Sequence, residues 1–308
     1  MNPKRTMLLS LIAMAMVLGT VAFSRVYADP EPANAPVQIG MVRTLFVDIP
    51  RPIVTVLAYP FGKLMQEQTG VDGQLTIEGD AFHVGKLLHE DKYQLGIFQG
   101  IEFAWAQKKY PDLQPLMIAV SRHRTLHANL VTSDQNSGTN FGAFAGKDVA
   151  LPQRSKQHLK LFLERGCNDC SHKDPQRFFS QISRPASTED ALDNVCSGTI
   201  QAAVVDSLDL ESYKSIKPGC FKRLRVVQQS EAFPTGVIAV HKGALNEALL
   251  EKFRDGMLNA HNNLKARELM AMFQLTAFES VPAEFEQTVA NILRSYPPPE
   301  QNAAKTRK

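Results

Sequence analysis

From Val37 onward, short apolar runs alternate with longer stretches of helical periodicity, and this alternation restricts the chain to an α/β architecture. The runs are Val37–Val42, Leu75–Glu78, Gln94–Phe98, Leu116–Ala119, Ala128–Thr132, Asp148–Leu151, Ile200–Val205, Leu224–Val227 and Val237–His241. They are rich in β-branched residues and mostly bounded by Gly, Pro, Asp or Ser, as strands are. Helices are expected over Ile53–Thr69, closed by Gly70, and over Phe82–Glu90 and Gln157–Arg165. Another follows the capping-box-like Ser187-x-x-Asp190 through Ala191–Ser197, and the last third adds Leu245–Ala260, Leu264–Phe273 and Glu284–Arg294.

So many strands crowd a single sheet, which favours two α/β lobes with mostly parallel sheets. Two segments look like crossings between lobes. Val120–His127 leads into a strand with no helix before it, and Gln228–Thr235 is a polar stretch with a proline between two strands. Two crossings insert one lobe into the other and leave a cleft with the crossings as its hinge. On this reading residues 37–122 and 233–296 form one lobe, 123–232 the inserted one, and 297–308 a disordered tail.

The first 28 residues stand apart. Lys4 and Arg5 precede a 17-residue apolar run, Met7–Phe23, at the lower edge of what spans a bilayer. Val26 and Ala28 then offer small side chains where a signal peptidase reads them, before the Pro/Ala linker of residues 29–36. This is the pattern of a secretory signal peptide cleaved after Ala28, giving a periplasmic protein. An uncleaved N-terminal membrane anchor is the alternative, and no cysteine at the cleavage point argues against a lipoprotein.

The charge follows from the same segment. The chain carries 34 Lys+Arg and 31 Asp+Glu, but Lys4, Arg5 and Arg25 precede the cleavage point and no acidic residue does. The exported body is therefore neutral. Its basic clusters lack interleaved aromatics, so nucleic acid is not an expected partner.

Motifs for common chemistry are missing. Gly142–Lys147 is one residue short of a phosphate loop, and Asp148 stands where a magnesium-binding hydroxyl belongs. No G-x-S-x-G, H-E-x-x-H or G-x-G-x-x-G occurs, so neither cofactor nor metal is expected. His123-x-x-x-His127 lies in a crossing, and the remaining histidines are scattered. Cys167-x-x-Cys170 lies in a polar loop, and Cys196 and Cys220 flank a strand. In an oxidising compartment the preferred pairing is Cys167–Cys170 and Cys196–Cys220, with a four-thiolate zinc site as the rival.

Candidate ligand-binding groups gather at strand ends. Ser155, Lys156 and Gln157 follow the strand Asp148–Leu151 and open an apolar helix, where free N–H groups and the positive dipole end favour anions. Asp206 ends the strand Ile200–Val205. Gln99 and Glu102 follow Gln94–Phe98, and Thr44 follows the first strand. Open α/β sheets bind ligands at such carboxyl edges.

Five segments in order resemble the phosphate/phosphite/phosphonate-type substrate-binding proteins of ABC transporters. They are IGMV, YQLGIFQGIEFAWA, FAGKDVALPQRS, STEDALDNVCSGTIQAAVVDS and LRVVQQSEAFPTGVIAV. The resemblance covers about residues 37–295 and implies the two-lobe periplasmic binding protein type 2 fold, one lobe inserted into the other, with the ligand cleft between them. It implies that Ser155, Lys156 and Gln157 hold an oxyanion and that Asp206 meets an amino group of an aminophosphonate. Two departures stand out. Arg-Ser-Lys-Gln-His replaces the family's small Ser-Thr-Ser-Gly-like run, and Gln201 replaces an aspartate. The implied partners are a small anionic ligand and an ABC transporter permease, with the protein acting as a monomer. A membrane-bound sensor partner stays open. An enzyme on this fold would need an acid–base pair, for which Glu102 and Asp206 are the candidates, on different lobes.

Overall fold

The computed structural model describes residues 36–46, 51–171 and 174–299. The expected export segment, nearly all of the linker and residues 300–308 lie outside them. The strands are β1 (Val37–Val42), β2 (Gly73–Glu78), β3 (Leu95–Phe98), β4 (Leu113–Val120), β5 (Thr125–Leu126), β6 (Ala128–Ser133), β7 (Asp148–Ala150), β8 (Gln181–Ser183), β9 (Ala202–Asp206), β10 (Leu224–Gln229), β11 (Phe233–Pro234), β12 (Gly236–His241) and β13 (Ala277–Glu279). The longer helices are α1 (Arg51–Thr69), α2 (Ala81–His89), α3 (Gly100–Lys109), α4 (Gln157–Ser171), α5 (Thr188–Cys196), α6 (Ser207–Ile216), α7 (Glu247–Leu258), α8 (Leu264–Ala271) and α9 (Phe285–Ser295). Among the described residues no helix is long and apolar enough to cross a membrane.

Two sheets share one strand plan. The first runs β2-β1-β3-β12-β4-β13 and the second β8-β7-β9-β6-β10. In each, a parallel trio is followed by a strand that arrives from the other lobe and pairs antiparallel on both sides. That strand is β12, between β3 and β4, in the first sheet, and β6, between β9 and β10, in the second. The sheets are therefore mixed rather than mostly parallel. A strand entering from the opposite lobe runs against the local βαβ direction, and hydropathy patterns carry no strand direction.

Successive residues alternate between the two faces of each sheet. Ile97, Met117 and Ile238 pack into one cluster, while Phe98, Ile118 and Val237 pack into another across the first sheet. In the second sheet Leu130, Val149 and Val204 oppose Val131, Ala150 and Val205. Each fully buried Val, Leu, Ile or Phe side chain contributes about 1.5–3 kcal/mol relative to exposure. Helix ends follow their local chemistry. Asp80 and Ser187 accept from the third residue on, while Gly70 and Gly198 sit at φ of +63° and +78° after α1 and α5.

The chain leaves the first sheet after Val120 and returns to it at Gly236. Between these points the crossings pair with each other: β5 and β11 form a two-stranded antiparallel ribbon, Leu126 opposite Phe233. Beside it, Ser230 exchanges two hydrogen bonds with Ala128, of 2.8 and 2.9 Å. Glu231 then joins the lobes at the surface, meeting Arg165 of α4 together with Tyr296 Oη and Ser295 Oγ at 3.0 and 3.1 Å.

The cysteines depart from expectation. The Cys167–Cys170 segment is the end of α4 rather than a loop. Cys167 is buried and Cys170 exposed, and although the two thiols lie close enough to interact they are not joined. Cys196 and Cys220 are neighbours, with Cys196 Sγ 3.8 Å from the Cys220 carbonyl oxygen, yet all four cysteines are free thiols and no disulfide or four-thiolate cluster forms. Gln201, which stands in place of an aspartate, accepts the Asp148 N–H at 3.1 Å and so ties β9 to β7.

Candidate functional site

A cavity of about 480 Å³ lies where the strand ends of the first sheet, the crossings and the start of α4 converge. Its polar end is built around the first turn of α3. Gly100 and Ile101 line the cavity, and the N–H groups of a first turn have no acceptor within their own helix. The returning crossing lies directly against this turn: a Cβ on Gly100 would sit 2.2 Å from the Pro234 carbonyl oxygen. Only glycine fits there.

Glu102 braces this turn from behind. It is 4% exposed, and its carboxylate accepts the Thr44 hydroxyl at 2.6 Å and the Gln99 backbone N–H, closing a capping-box arrangement. Burial pushes its pKa up to about 7, against the opposing pull of those two hydrogen bonds. Glu102 is not among the cavity-lining residues; Thr44 and Gln99 are.

Thr235 supplies an unused group. It is 3% exposed, it lines the cavity, and its hydroxyl has no hydrogen-bond partner among the described residues. A buried hydroxyl left unpaired costs about 1–3 kcal/mol, which a bound acceptor would recover.

The inserted lobe faces this turn with Arg154, Lys156 and His158. Arg154 adopts φ of +58°, a left-handed conformation uncommon outside glycine, and this turns the loop before α4. Lys156 Nζ lies 3.8 Å from Asp206 Oδ2, and His158 Nε2 lies 2.9 Å from the same oxygen. Burial lowers the pKa of His158 and holds it neutral. Burial works to raise Asp206, but the close approach of His158 and the Lys156 charge outweigh it, so Asp206 stays below the usual carboxylate range. Asp206 also caps α6 through the Leu208 N–H at 2.8 Å.

Of the residues expected from sequence, Thr44, Gln99 and Lys156 line the cavity. Ser155 is buried with its hydroxyl donating to the Pro152 carbonyl at 2.5 Å. The Gln157 N–H is given to Gln99 Oε1 at 3.4 Å, so a side chain of the first lobe already caps the helix of the second. Asp206 stands behind Lys156 and His158. Arg154, His158 and Thr235 line the cavity and were not expected. Arg154 and His158 flank the expected triplet in sequence, whereas no sequence signal marks Thr235.

The opposite wall is apolar. Phe61, Phe273 and Phe278 line it with their rings in edge contact, Phe61 lying 5.6 and 6.2 Å from the other two. Phe46, Met272 and Leu275 extend it.

The model of a family described as the periplasmic substrate-binding protein of phosphonate ABC transporters matches residues 52–284. Among curated proteins no sequence match is found. Solved structures resemble the chain in fold. XAC2383 of Xanthomonas citri, bound to ATP, superposes with a TM-score of 0.57 at 16% identity, covering 84% of this chain and 97% of that one. The methylphosphonate complex of PhnD1 from Prochlorococcus marinus gives 0.54 at 14% identity, over 84% and 97%. A binding-protein component of an ABC phosphonate transporter from Pseudomonas aeruginosa gives 0.53 at 15% identity, over 84% and 87%.

Proposed function

Because the chain belongs to the periplasmic substrate-binding proteins of phosphonate-type ABC transporters, we propose that it captures an oxyanion of the phosphate or phosphonate class between its lobes. It is exported through residues 1–28 and delivers the ligand, as a monomer, to a membrane permease. Residues 37–122 and 233–296 act as one lobe and 123–232 as the other.

The observation that carries the reading is the polar end of the cavity. The first turn of α3 offers N–H groups and the positive end of its dipole, the Thr235 hydroxyl stands unpaired beside it, and Lys156 faces both. Charge-assisted hydrogen bonds from donors on two lobes hold an anion and the closed form together. Asp206 is 1% exposed and outside the cavity lining, so the ammonium group of an aminophosphonate would meet it only with Lys156 displaced. Nothing in the cavity calls for bond breaking: Glu102 is engaged in capping α3, and Asp206 in capping α6.

Isothermal titration of the mature chain with phosphate, methylphosphonate and 2-aminoethylphosphonate tests the reading. Lys156→Ala and Thr235→Val should each weaken binding about tenfold or more while leaving the unfolding midpoint within a few degrees. Unchanged affinity in both variants, or no binding of any of the three, removes the proposal.

A further inference from the structure

We infer that the preferred ligand is an amphiphilic oxyanion, a phosphonate or phosphate ester bearing an aryl or short alkyl group; this rests on the function proposed above. The cavity is far larger than its polar end needs. About 480 Å³ falls in the range of sites for drug-sized molecules, several times what an oxyanion with one carbon fills. The excess space is bounded by Phe61, Phe273 and Phe278, with Gln274 the polar neighbour of Phe273 in the lining. Leu45 and Met272 carry the same character outward and are 38% and 58% exposed. Phe61 and Phe278 are already buried, so the apolar surface that a small hydrated anion leaves in water is that of Phe273, Leu45 and Met272, and an apolar substituent covers it. Burying each further methylene raises affinity about fourfold. The oxyanion fixes one end at α3, and the substituent lies along the phenylalanines of the first lobe.

The test is a titration series of the mature chain with methyl-, butyl- and phenylphosphonate, with benzyl alcohol as an uncharged control. Butyl- and phenylphosphonate should bind at least tenfold more tightly than methylphosphonate, and benzyl alcohol not measurably. Phe273→Ala should remove most of the gain of phenylphosphonate over methylphosphonate, with circular dichroism and the unfolding midpoint showing the variant to be folded. If methylphosphonate binds as tightly as the longer ligands, the inference fails and the proposed function stands. If no phosphonate of any length binds, or benzyl alcohol binds as well as phenylphosphonate, the function itself is refuted.

A second observation is independent of the cleft. We propose that His89, Asp112 and His241 form a site for a divalent transition-metal ion of the zinc or nickel type. His89 ends α2, Asp112 precedes β4 and His241 ends β12, at the edge of the first sheet opposite the strand ends that carry Thr44 and Gln99. His89 Nδ1 and His241 Nε2 both face Asp112 Oδ2, at 2.6 and 2.8 Å, and all three atoms lie within 4.8 Å of one another. On the far side of its ring, His241 Nδ1 meets Asp91 Oδ1 at 2.6 Å. Asp91 is placed to accept the Nδ1–H when Nε2 serves as a ligand, the carboxylate–histidine relation common behind bound metals. Two imidazoles and a carboxylate suit such an ion, with openings of about 0.5–0.8 Å sufficient for bonds of about 2.0–2.1 Å.

Titration of chelator-treated, tag-free protein with zinc ion should show one site, lost in His89→Ala and in His241→Ala and weakened 10–100-fold in Asp91→Asn. Phosphonate affinity should not change in these variants, which also reports that they are folded. No zinc binding by the wild type, or equal binding by His241→Ala, overturns the proposal.

Discussion

Replacing Glu102 with glutamine isolates the cost of keeping a carboxylate behind the start of α3. The group is 4% exposed and holds the Thr44 hydroxyl at 2.6 Å. Its pKa rises from an ordinary 4.5 to about 7, chiefly through burial. Above pH 7 the folded and unfolded chains are both ionised, and the folded state carries the full burial penalty. As the pH falls through 7 the folded carboxyl takes up a proton first, so stability rises until the unfolded chain is protonated as well, below about 4.5. The displacement corresponds to about 3 kcal/mol across that window, an upper bound because other groups relax around the charge. Glutamine mimics the protonated form and keeps an acceptor for the Gln99 N–H. Urea unfolding of wild type and Glu102→Gln between pH 4.5 and 8.5 reads the difference directly, since all other titrating groups cancel. The variant should be more stable by about 2–3 kcal/mol at pH 8.5, with the gap closing toward pH 4.5. A gap independent of pH, or a variant less stable at pH 8.5, refutes the argument that burial dominates Glu102.

Other consequences are open to simpler measurements. Gly100→Ala drives a Cβ to 2.2 Å from the Pro234 oxygen, so unfolding stability should fall by about 3 kcal/mol or more. Wild-type stability would show that the crossing does not press on α3. Cys167 is buried, and burial pushes its thiol up to about 12; alkylation at pH 8 followed by mass spectrometry should label Cys170 in the native protein and leave Cys167 unlabelled until unfolding. Glu231→Gln removes the charge that joins Arg165 to Tyr296 and Ser295. At this half-exposed position about 1 kcal/mol should be lost, and the loss should shrink in high salt.

The sequence signals that proved informative were those with a period. All nine apolar runs lie within or across observed strands, because a strand buried on one or both faces must be apolar. Helix α3 is not among the expected helices: every residue from Gly100 to Ala106 is buried, so it has no polar face to set a period. The short strands β5, β8, β11 and β13 contain two or three residues each, too few to show alternation.

The site divides in the same way. Thr44, Gln99 and Lys156 sit next to strand or helix ends and were legible as such. Thr235 reaches the cavity through the register of the returning crossing, and the phenylalanine wall joins Phe61 to Phe273 and Phe278 from the far end of the chain. Such long-range neighbours leave no local trace. The same is true of His89, Asp91, Asp112 and His241, drawn together across 150 residues.

The position of β12 has a consequence for how the molecule is made. It lies between β3 and β4 and pairs with both, yet it is synthesised more than a hundred residues after them. Until Gly236–His241 has emerged, the earlier strands flank a gap one strand wide, and their inward apolar residues have no partner. The N-terminal half therefore cannot settle into its final form ahead of the rest. A chain arranged in this way cannot complete its first sheet until most of its length has been synthesised.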